Sequence, residues 1–433
     1  MKNNQALIEF NPKLPKLSKN EKEVLKLLVE AGRLIAPLYL EQENQPRLNK
    51  EEIEKAAKKD PEILSPYTVI EKVDGKVVST PYHVKYAKFL KPIAKKLEAA
   101  GKLTENNQFA HFLKLQAKAL LDGSYEEATA VSLKMKPYIL DISIGPIVHF
   151  DERLFFAKAS YQCWVGVIYE EGTKRLNVYK SVALSTQRKA LVKGARVENQ
   201  HNVKVKVVNV LLFSGFMART RFIGVNLPMD LNLVEKYGSE VTLFENVNDS
   251  RIEEQILPTF NKIFSTAFKQ GFSTEDLRRA SLRYVALHEI AHNYLYYKNA
   301  FNNLQDLLPS LYELNATVLG MRIAGSLLLK DIITNKQLES MIIAFICRSF
   351  YLIEKSKSSK FWINYATGGA IFINFMLRSG ALKKHEGLAI PNFTKIFISL
   401  HDLSYALEYL LSAGTRKEAE VFIKKYGYFS NIR

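Results

Sequence analysis

The chain has 433 residues, 47% of them hydrophobic, and its 61 basic and 44 acidic side chains give a formal net charge of +17. Such a chain can bury a large core in two or more lobes. Because it has neither an apolar run of about 18 residues nor an apolar N-terminal segment, no membrane span and no secretory signal are expected. The lysines alternate with glutamates, as on solvated helix faces, so nucleic acid is not an expected partner and a cytoplasmic location is expected.

The first third of the chain has the period of helices. In residues 20–43 one helical stripe is apolar throughout: Val24, Leu28, Ala31 and Ile35. Ser18 or Asn20 is the expected N-terminal cap of this helix, because a side-chain oxygen at that position can accept from the free backbone N–H groups. A second helical pair is predicted over residues 83–102 and 106–123.

The hydrophobic period then changes to that of strands. Four segments are rich in β-forming residues: YILDISIGPIVHF (138–150), YQCWVGVIYE (161–170), LNVYKSVAL (176–184) and VKVKVVNVLLF (203–213). In the last segment Lys204 and Lys206 alternate with valines, as they do in a half-exposed strand. Cys163 and Cys347 lie in apolar sequence without a nearby second cysteine, so both are expected to be reduced core thiols.

After residue 249 the helical period returns and carries the sequence HEIAH. His288 and His292 are four residues apart, so on a helix both imidazoles lie on one face and can reach a single metal ion. Glu289 projects beside such a metal, where it can deprotonate a water molecule. Glu313 follows in a second helical segment, ELNATVLG, after a predicted loop from Asn299 to Pro309. Three protein ligands plus water form a catalytic zinc site, so one Zn²⁺ per chain is expected.

A pair of helical histidines without a metal is the alternative interpretation of HEIAH. The flanking sequence YVALHEIAHNYLYY is apolar all around the two histidines, which predicts a buried helix. Buried imidazoles need polar partners, and Glu313 can supply one. The metal site is therefore favoured over the plain histidine pair.

Several segments together resemble the dipeptidyl peptidase III family of zinc metallopeptidases, closest to its shorter bacterial members. The segments are LDISIGPIVHFDERLFFAKASYQCWVGV, FIGVNLPMDLNLVEKYGSEVTLFENV and FTKIFISLHDLSYALEYLLSAGTRKEAEVFIKKYG, in that order. The resemblance covers about residues 20–430. Most of the family carries a six-residue HExxxH, and a five-residue form like this one also occurs. The family's second motif, E-x-x-A, is matched by residues 313–316.

The resemblance implies an α+β fold of two lobes separated by a cleft. A mostly helical lobe would carry the zinc, and a β-rich lobe would bind an extended peptide by strand addition. Asn226 matches a family residue that contacts the peptide backbone, although an asparagine in a turn before Pro228 is an equally good interpretation. The implied chemistry is metal-assisted peptide hydrolysis, in which Glu289 takes a proton and passes it to the leaving amine.

Four parts of the chain are expected on this basis. They are an N-terminal helical part (1–140), a β-rich substrate-binding part (141–260), a helical zinc-binding part with HEIAH and ELNA (261–360), and C-terminal helices that close the fold (361–433). The order helical, β-rich, helical lacks βα alternation, which also favours α+β over a doubly wound sheet.

The chain departs from the family at four supporting positions. Val148 stands where the family has a glutamate for the substrate's amino terminus, and Phe150 where it has a tyrosine that donates to the oxyanion. His149 lies between them and would point to the opposite face of a strand. Thr317 replaces the acid after E-x-x-A, which would orient a zinc ligand. Tyr365 falls near the family's helical histidine, and it is either a substitute donor or a tyrosine that lines the core or cleft.

Two classes of function follow. The first is a zinc-dependent peptidase like dipeptidyl peptidase III, whose exopeptidase specificity comes from the resemblance alone. The second is a catalytically weak zinc-containing relative that acts as a peptide-binding or regulatory module. The intact Glu289 favours the first, because a structural zinc site has no use for a general base. The four departures favour the second.

Overall fold

The computed structural model describes residues 6–46, 48–148, 158–187, 191–192, 202–294, 297 and 299–429. The chain forms two compact units. The first comprises the described residues of Met1–Glu170, Lys206–Phe222 and Leu227–Asn246, and the second those of Glu171–Val205, Ile223–Asn226 and Val247–Arg433. Among the described residues, no helix combines the length and the apolarity that a membrane crossing requires.

The elements up to residue 246 are mixed helices and strands. The helices are α1 (Lys19–Arg33), α2 (Ile35–Glu43), α3 (Lys50–Ala57), α4 (Tyr82–Lys85), α5 (Ala87–Leu103), α6 (Asn107–Asp122), α7 (Glu126–Lys134), α8 (Glu170–Gln187), α9 (Phe216–Thr220) and α10 (Leu231–Tyr237). The strands are β1 (Leu7–Glu9), β2 (Thr68–Val73), β3 (Lys76–Pro81), β4 (Leu140–Val148), β5 (Ser160–Ile168), β6 (Val203–Gly215), β7 (Gly224–Leu227) and β8 (Ser239–Phe244). A 3₁₀ turn spans Pro61–Leu64.

The elements after residue 246 are almost all helical. The helices are α11 (Val247–Arg251), which continues as a π-helical turn over Ile252–Ile256, then α12 (Leu257–Ile263), α13 (Thr266–Lys269), α14 (Thr274–His292), α15 (Ala300–Leu304), α16 (Leu308–Leu328), α17 (Asn335–Ser356), α18 (Ile363–Arg378), α19 (Phe393–Ser412) and α20 (Arg416–Tyr426). A single hairpin is described here, β9 (Leu382–His385) with β10 (Leu388–Pro391). Two 3₁₀ turns span Gln305–Leu307 and Lys360–Trp362.

The first unit is built on a sheet covered by helices. Strands β4, β5 and β6 are antiparallel neighbours, β8 follows β6, and the short β1 also pairs with β6. The predicted apolar stripe of α1 is confirmed, since Val24 and Leu28 are fully buried in the core with Cys163 of β5. Ser18 is the cap, with a reciprocal capping box to Glu21, so the prediction of that cap is confirmed.

Strand β6 has the alternating burial that its sequence predicts, and its Lys206 also forms a largely buried ion pair with two carboxylates. The side chain of Lys206 is 13% exposed, and its Nζ lies 2.7 Å from an Asp141 carboxylate oxygen and 2.5 Å from one of Glu240. The indole N–H of Trp164 donates to the other oxygen of Asp141 at 2.8 Å. Burial lowers the pKa of Lys206, but the two carboxylates outweigh it and hold that pKa above its usual value.

The prediction of a strand over residues 176–184 is wrong. The segment belongs to the helix α8. Leu176 and Ala183, which lie two helical turns apart, are buried, whereas Val178 between them is 44% exposed. Valine and tyrosine favour strands by intrinsic propensity. Here a helix is more stable, because it buries apolar side chains along one of its faces.

The second unit is a bundle in which α16 and α17 pack against each other and each also contacts both α14 and α18, while α19 packs on α16. Helix α14 begins with a capping box between Ser273 and Asp276. The prediction of a loop from Asn299 to Pro309 is partly wrong, because most of this segment forms α15 and a 3₁₀ turn. Proline is favourable in the first turn of a helix, so Pro309 lies inside the start of α16 rather than in the loop.

A helical bundle and a sheet-based unit without βα alternation confirm the predicted α+β class. Both cysteines are free and buried, as expected. The cleft and the four sequence ranges given above stay predictions.

Candidate metal centre

The last turn of α14 and the first half of α16 carry the three predicted ligands. The Nε2 atoms of His288 and His292 are 3.1 Å apart. An oxygen of Glu313 lies 3.2 Å from Nε2 of His288 and 3.7 Å from Nε2 of His292. The three side chains are 13%, 14% and 22% exposed, so they face a largely buried space that solvent still reaches.

Close contact between α14 and α16 brings these ligands together. A Cβ atom added to Gly320 of α16 would lie 3.1 Å from the backbone nitrogen of His288 and 3.2 Å from the carbonyl oxygen of Leu287. Such contacts are tighter than a side chain normally makes with backbone. A glycine at this position therefore sets the helix separation from which Glu313 reaches the histidines.

The three donor atoms fit a zinc ion. Zinc binds histidine nitrogen and carboxylate oxygen at about 2.0–2.1 Å with tetrahedral geometry, so two ligand atoms are separated by about 3.3 Å. The separations of 3.1, 3.2 and 3.7 Å bracket that value. Two imidazoles and one carboxylate also form a donor set that suits zinc.

Thr317 fixes the tautomer of His288. Its Oγ1 lies 3.3 Å from the carbonyl oxygen of Glu313, to which it donates, and 2.9 Å from Nδ1 of His288. Because the hydroxyl proton goes to that carbonyl, the hydroxyl oxygen accepts from the Nδ1–H group of His288. The other ring nitrogen, Nε2, is directed at Glu313 and His292 and is left available to bind a metal ion. The sequence has no carboxylate at position 317 to accept a hydrogen bond from His288. The hydroxyl of Thr317 accepts that hydrogen bond instead.

The charges of the three groups are coupled. Burial alone would raise the pKa of Glu313, but the two histidines outweigh burial and lower it, so the carboxylate is ionised at neutral pH. Burial lowers the pKa of His292, and the carboxylate of Glu313 more than compensates and raises it. The ring of Tyr312 stacks on His292 with centroids 5.3 Å apart, which restricts the orientation of that imidazole.

Glu289 is a partly buried carboxylate beside the histidines. Burial raises its pKa, which the neighbouring His288 and His292 offset only in part. A carboxylate with a raised pKa is a stronger proton acceptor than one in water, and this suits a general base.

Tyr365 lies in the first turn of α18, with its ring centroid 5.9 Å from that of Trp362. Burial, followed by the negative charges of Glu313 and Glu289, raises the pKa of its phenol well above the usual value. The phenol is therefore protonated at neutral pH and can donate a hydrogen bond near both carboxylates.

The other residues that the sequence predicts for the site belong to earlier parts of the chain. Asn226 is a partly buried residue of β7, and its Oδ1 is buried with no hydrogen-bond partner among the described residues. His149 and Phe150 lie outside the described residues, and only the backbone of Val148, the last residue of β4, is described.

Two residues near this centre are missed by the sequence interpretation. Arg251 and Arg348 are 9% and 7% exposed, and the charges of both act on the pKa of Tyr365. Arg348 stands alone in the apolar segment AFICRSF, and this lone charge inside an apolar helix is the signal that could have indicated it. No comparable signal marks Arg251.

No family model matches the chain. Two solved structures share its fold. They are DPP III from Caldithrix abyssi (TM-score 0.84, 19% identity, 100% of this chain and 95% of that chain) and dipeptidyl-peptidase III from Corallococcus sp. strain EGB (TM-score 0.83, 20% identity, 99% and 92%). A curated protein, Nudix hydrolase 3 of Arabidopsis thaliana, is 22% identical over 357 residues, which are 80% of this chain and 45% of that protein. The chain thus spans about half the length of this relative. It has the fold of dipeptidyl peptidase III, as the sequence resemblance predicts.

Proposed function

We propose that this chain, with its dipeptidyl peptidase III fold, is a zinc-dependent peptidase that binds one Zn²⁺ through His288, His292 and Glu313. The observation that carries the proposal is the convergence of two imidazole nitrogens and one carboxylate oxygen within 4.8 Å of one another. Three ligands leave a position open, which is the composition of catalytic zinc sites. Removal of dipeptides from an amino terminus is the specificity that the resemblance and the names of the two solved structures support.

The chain's own residues supply the proton transfers. A bound zinc would supply Lewis acidity that polarises the scissile carbonyl and acidifies water. Glu289 accepts a proton from the water as it attacks the carbonyl carbon, and then returns the proton to the nitrogen of the leaving amine. The phenol of Tyr365 donates a hydrogen bond to the carbonyl oxygen as negative charge develops there. Asn226 binds the peptide backbone, a role supported by its unpartnered amide oxygen.

The test combines zinc content with peptide hydrolysis in wild type and Glu289→Gln. We expect about one zinc per chain in both proteins, and a loss of kcat of about 10²–10⁴ in the variant because general acid–base catalysis contributes that much. Glu275→Gln is the matched control, since Glu275 lies on the same helix in an exposed ion pair with Arg279. Peptides with free and acetylated amino termini decide whether the amine is recognised.

Each outcome separates the two functions. Zinc with Glu289-dependent hydrolysis supports the peptidase. Zinc without such hydrolysis supports the catalytically weak, peptide-binding relative. A protein that binds no zinc would overturn both.

A further inference from the structure

Two arginines of the second unit are buried without an acidic partner among the residues that the structure describes. Arg251 ends α11 and Arg348 lies in the middle of α17, and they are 9% and 7% exposed. Within the part of the chain that the structure describes, no carboxylate oxygen lies within 4.0 Å of either guanidinium. Burial of an unpaired charge opposes folding, so such a pair is retained at a cost in stability.

Neutral groups hold both guanidiniums in place, and Arg251 has a hydrogen bond with the side chain of Tyr284. Arg348 donates through Nη1 to the amide oxygen of Gln255, one helical turn beyond Arg251. The same guanidinium lies 5.4 Å from the ring centroid of Tyr351 and 5.5 Å from that of Trp362. These partners orient the charge and leave it uncompensated.

The arginine pair belongs to the same neighbourhood as the metal centre. The charges of Arg251 and Glu289 each act on the pKa of the other. Trp362, under the guanidinium of Arg348, is also the neighbour of Tyr365, with ring centroids 5.9 Å apart.

Both arginines carry a positive charge at neutral pH. Burial, followed by the charge of Arg251, lowers the pKa of Arg348 to about 9, which is still well above neutrality. A bound Zn²⁺ would balance the carboxylates of Glu289 and Glu313, so the arginines leave the site with a surplus of positive charge. This surplus favours an anionic group of a ligand.

We propose that Arg251 and Arg348 form a carboxylate subsite that binds a carboxylate of the peptide substrate close to the scissile bond. The guanidinium group matches the geometry of a carboxylate and binds it through two parallel hydrogen bonds. Access is available because Gln255, Trp362 and Tyr365 around the pair are partly exposed. The carboxylate comes either from an acidic side chain or from the C-terminus of a short peptide. The substrate role rests on the proposed peptidase function, whereas carboxylate binding does not.

The test measures binding as well as turnover. The zinc-loaded Glu289→Gln protein serves as a host that cleaves slowly, and calorimetry gives the affinity of a tetrapeptide in four forms: glutamate or glutamine in the middle, and a free or amidated C-terminus. We expect one carboxylate form to bind about 10- to 100-fold more tightly than its amide partner, as charged hydrogen bonds allow. The same ratio is expected in kcat/KM for the wild type.

Arginine variants in the same host locate the preference. At about 1 M salt, where the long-range effect of the net charge is screened, Arg251→Gln and Arg348→Gln are expected to abolish it, and Arg348→Lys, which keeps the charge without the two-pronged geometry, to reduce it. Arg378→Gln is the matched control, because Arg378 is an exposed arginine 5.6 Å from the ring centroid of Tyr426 in the same unit. Arg348→Lys replaces the glutamine variant if the latter does not fold.

The outcomes separate the two proposals. A preference within the glutamate and glutamine pair identifies a side-chain carboxylate, and one within the free and amidated pair identifies the C-terminus. Equal binding of all four peptides overturns the subsite, and so does a preference that survives in every arginine variant. An arginine-dependent preference without any hydrolysis by the wild type would leave the subsite standing and overturn the peptidase.

Discussion

Thr317 connects the two helices of the metal centre through one hydroxyl group. It donates to the carbonyl oxygen of Glu313, one turn earlier in α16, and accepts from Nδ1 of His288 in α14. A carboxylate in this position would orient the imidazole and add a negative charge, whereas a hydroxyl only orients it. Compared with a carboxylate at this position, the hydroxyl of Thr317 therefore keeps the orientation of His288 and gives up part of the basicity of that imidazole.

Thr317→Val tests this role. Valine has nearly the same shape but leaves Nδ1 of His288 without an acceptor, so we expect zinc affinity to fall by about 10- to 100-fold, as losses of such supporting groups do. Competition with a chromogenic chelator measures the affinity. Thr317→Ser keeps the hydroxyl and is expected to bind zinc like the wild type. Equal zinc affinity in the valine and serine variants would contradict the role of the hydroxyl.

Tyr365→Phe tests the proposed donor to the oxyanion. If the phenol donates to the oxyanion as proposed, its removal should lower kcat by about 10²–10³ and leave zinc content unchanged. Steady-state kinetics with metal analysis of the same sample provides the measurement. Tyr426→Phe is the control, because Tyr426 contacts Phe375 near the other end of α18 with centroids 5.2 Å apart. A kcat of Tyr365→Phe within about twofold of wild type would contradict the donor role and mean that Tyr365 only lines the core or cleft.

Single residues of the site differ in how far the sequence predicts them. His288 and His292 follow from local helical geometry, and Glu313 from a second helix nearby in sequence. Arg251 and Arg348 come together only through the packing of the π-helical turn that follows α11 against α17. Such a contact between helices distant in sequence leaves no periodic signal, so the arginine pair could not be predicted.

At the scale of elements, burial on one face decided between helix and strand. The sequence predicts the strands β4, β5 and β6 and the helices α1 and α14, because long segments keep one period. Segment 176–184 was misassigned because its β-branched and aromatic residues outweighed a short helical period. The separation of α14 and α16 was not predictable, since nothing local marks Gly320 as a point of contact.

Gly320→Ala tests that contact. The new methyl group would lie 3.1 Å from backbone atoms of α14, which cannot move independently of the helix. We expect a loss of about 1–3 kcal/mol in the free energy of unfolding, as overpacking typically costs, together with weaker zinc binding because Glu313 moves with α16.

Gly325→Ala is the matched control on the same helix. Apart from the neighbouring backbone of its own helix, no atom of the described residues lies within 4 Å of an added Cβ at Gly325, so alanine should stabilise the protein by about 0.5–1 kcal/mol through its helix propensity. Chemical denaturation of both variants measures the difference. A stabilising effect of similar size at both positions would show that α16 can shift freely.

For the whole molecule, the order of hydrophobic periods was sufficient to predict the α+β class. A helical, a β-rich and a second helical stretch cannot form alternating βαβ units, which leaves a separate sheet and bundle.

Zinc should stabilise the whole protein through its ligands on two helices. A metal that binds the folded state alone adds about 4 kcal/mol to the unfolding free energy at a thousandfold excess over Kd. We therefore expect a lower melting temperature after chelation and full recovery on addition of zinc, measured by calorimetry. In Glu313→Ala, which lacks the carboxylate ligand, the melting temperature should respond little to zinc. An equal response in that variant would mean that zinc stabilises the protein from another site.

The net charge of +17 and the arginine pair should both favour acidic peptides, and salt separates them. The overall charge acts at long range and is screened, because the Debye length falls from about 10 Å at 0.1 M salt to about 3 Å at 1 M. A carboxylate that contacts Arg251 and Arg348 inside a largely buried site is screened much less. We expect the preference for the glutamate over the glutamine peptide, or for the free over the amidated C-terminus, to decline with salt and to level off in the wild type. In Arg348→Gln it should decline to none, as kcat/KM ratios across a salt series would record. A wild-type preference that also vanishes at high salt would assign the whole effect to the surface charge and none to the buried arginines.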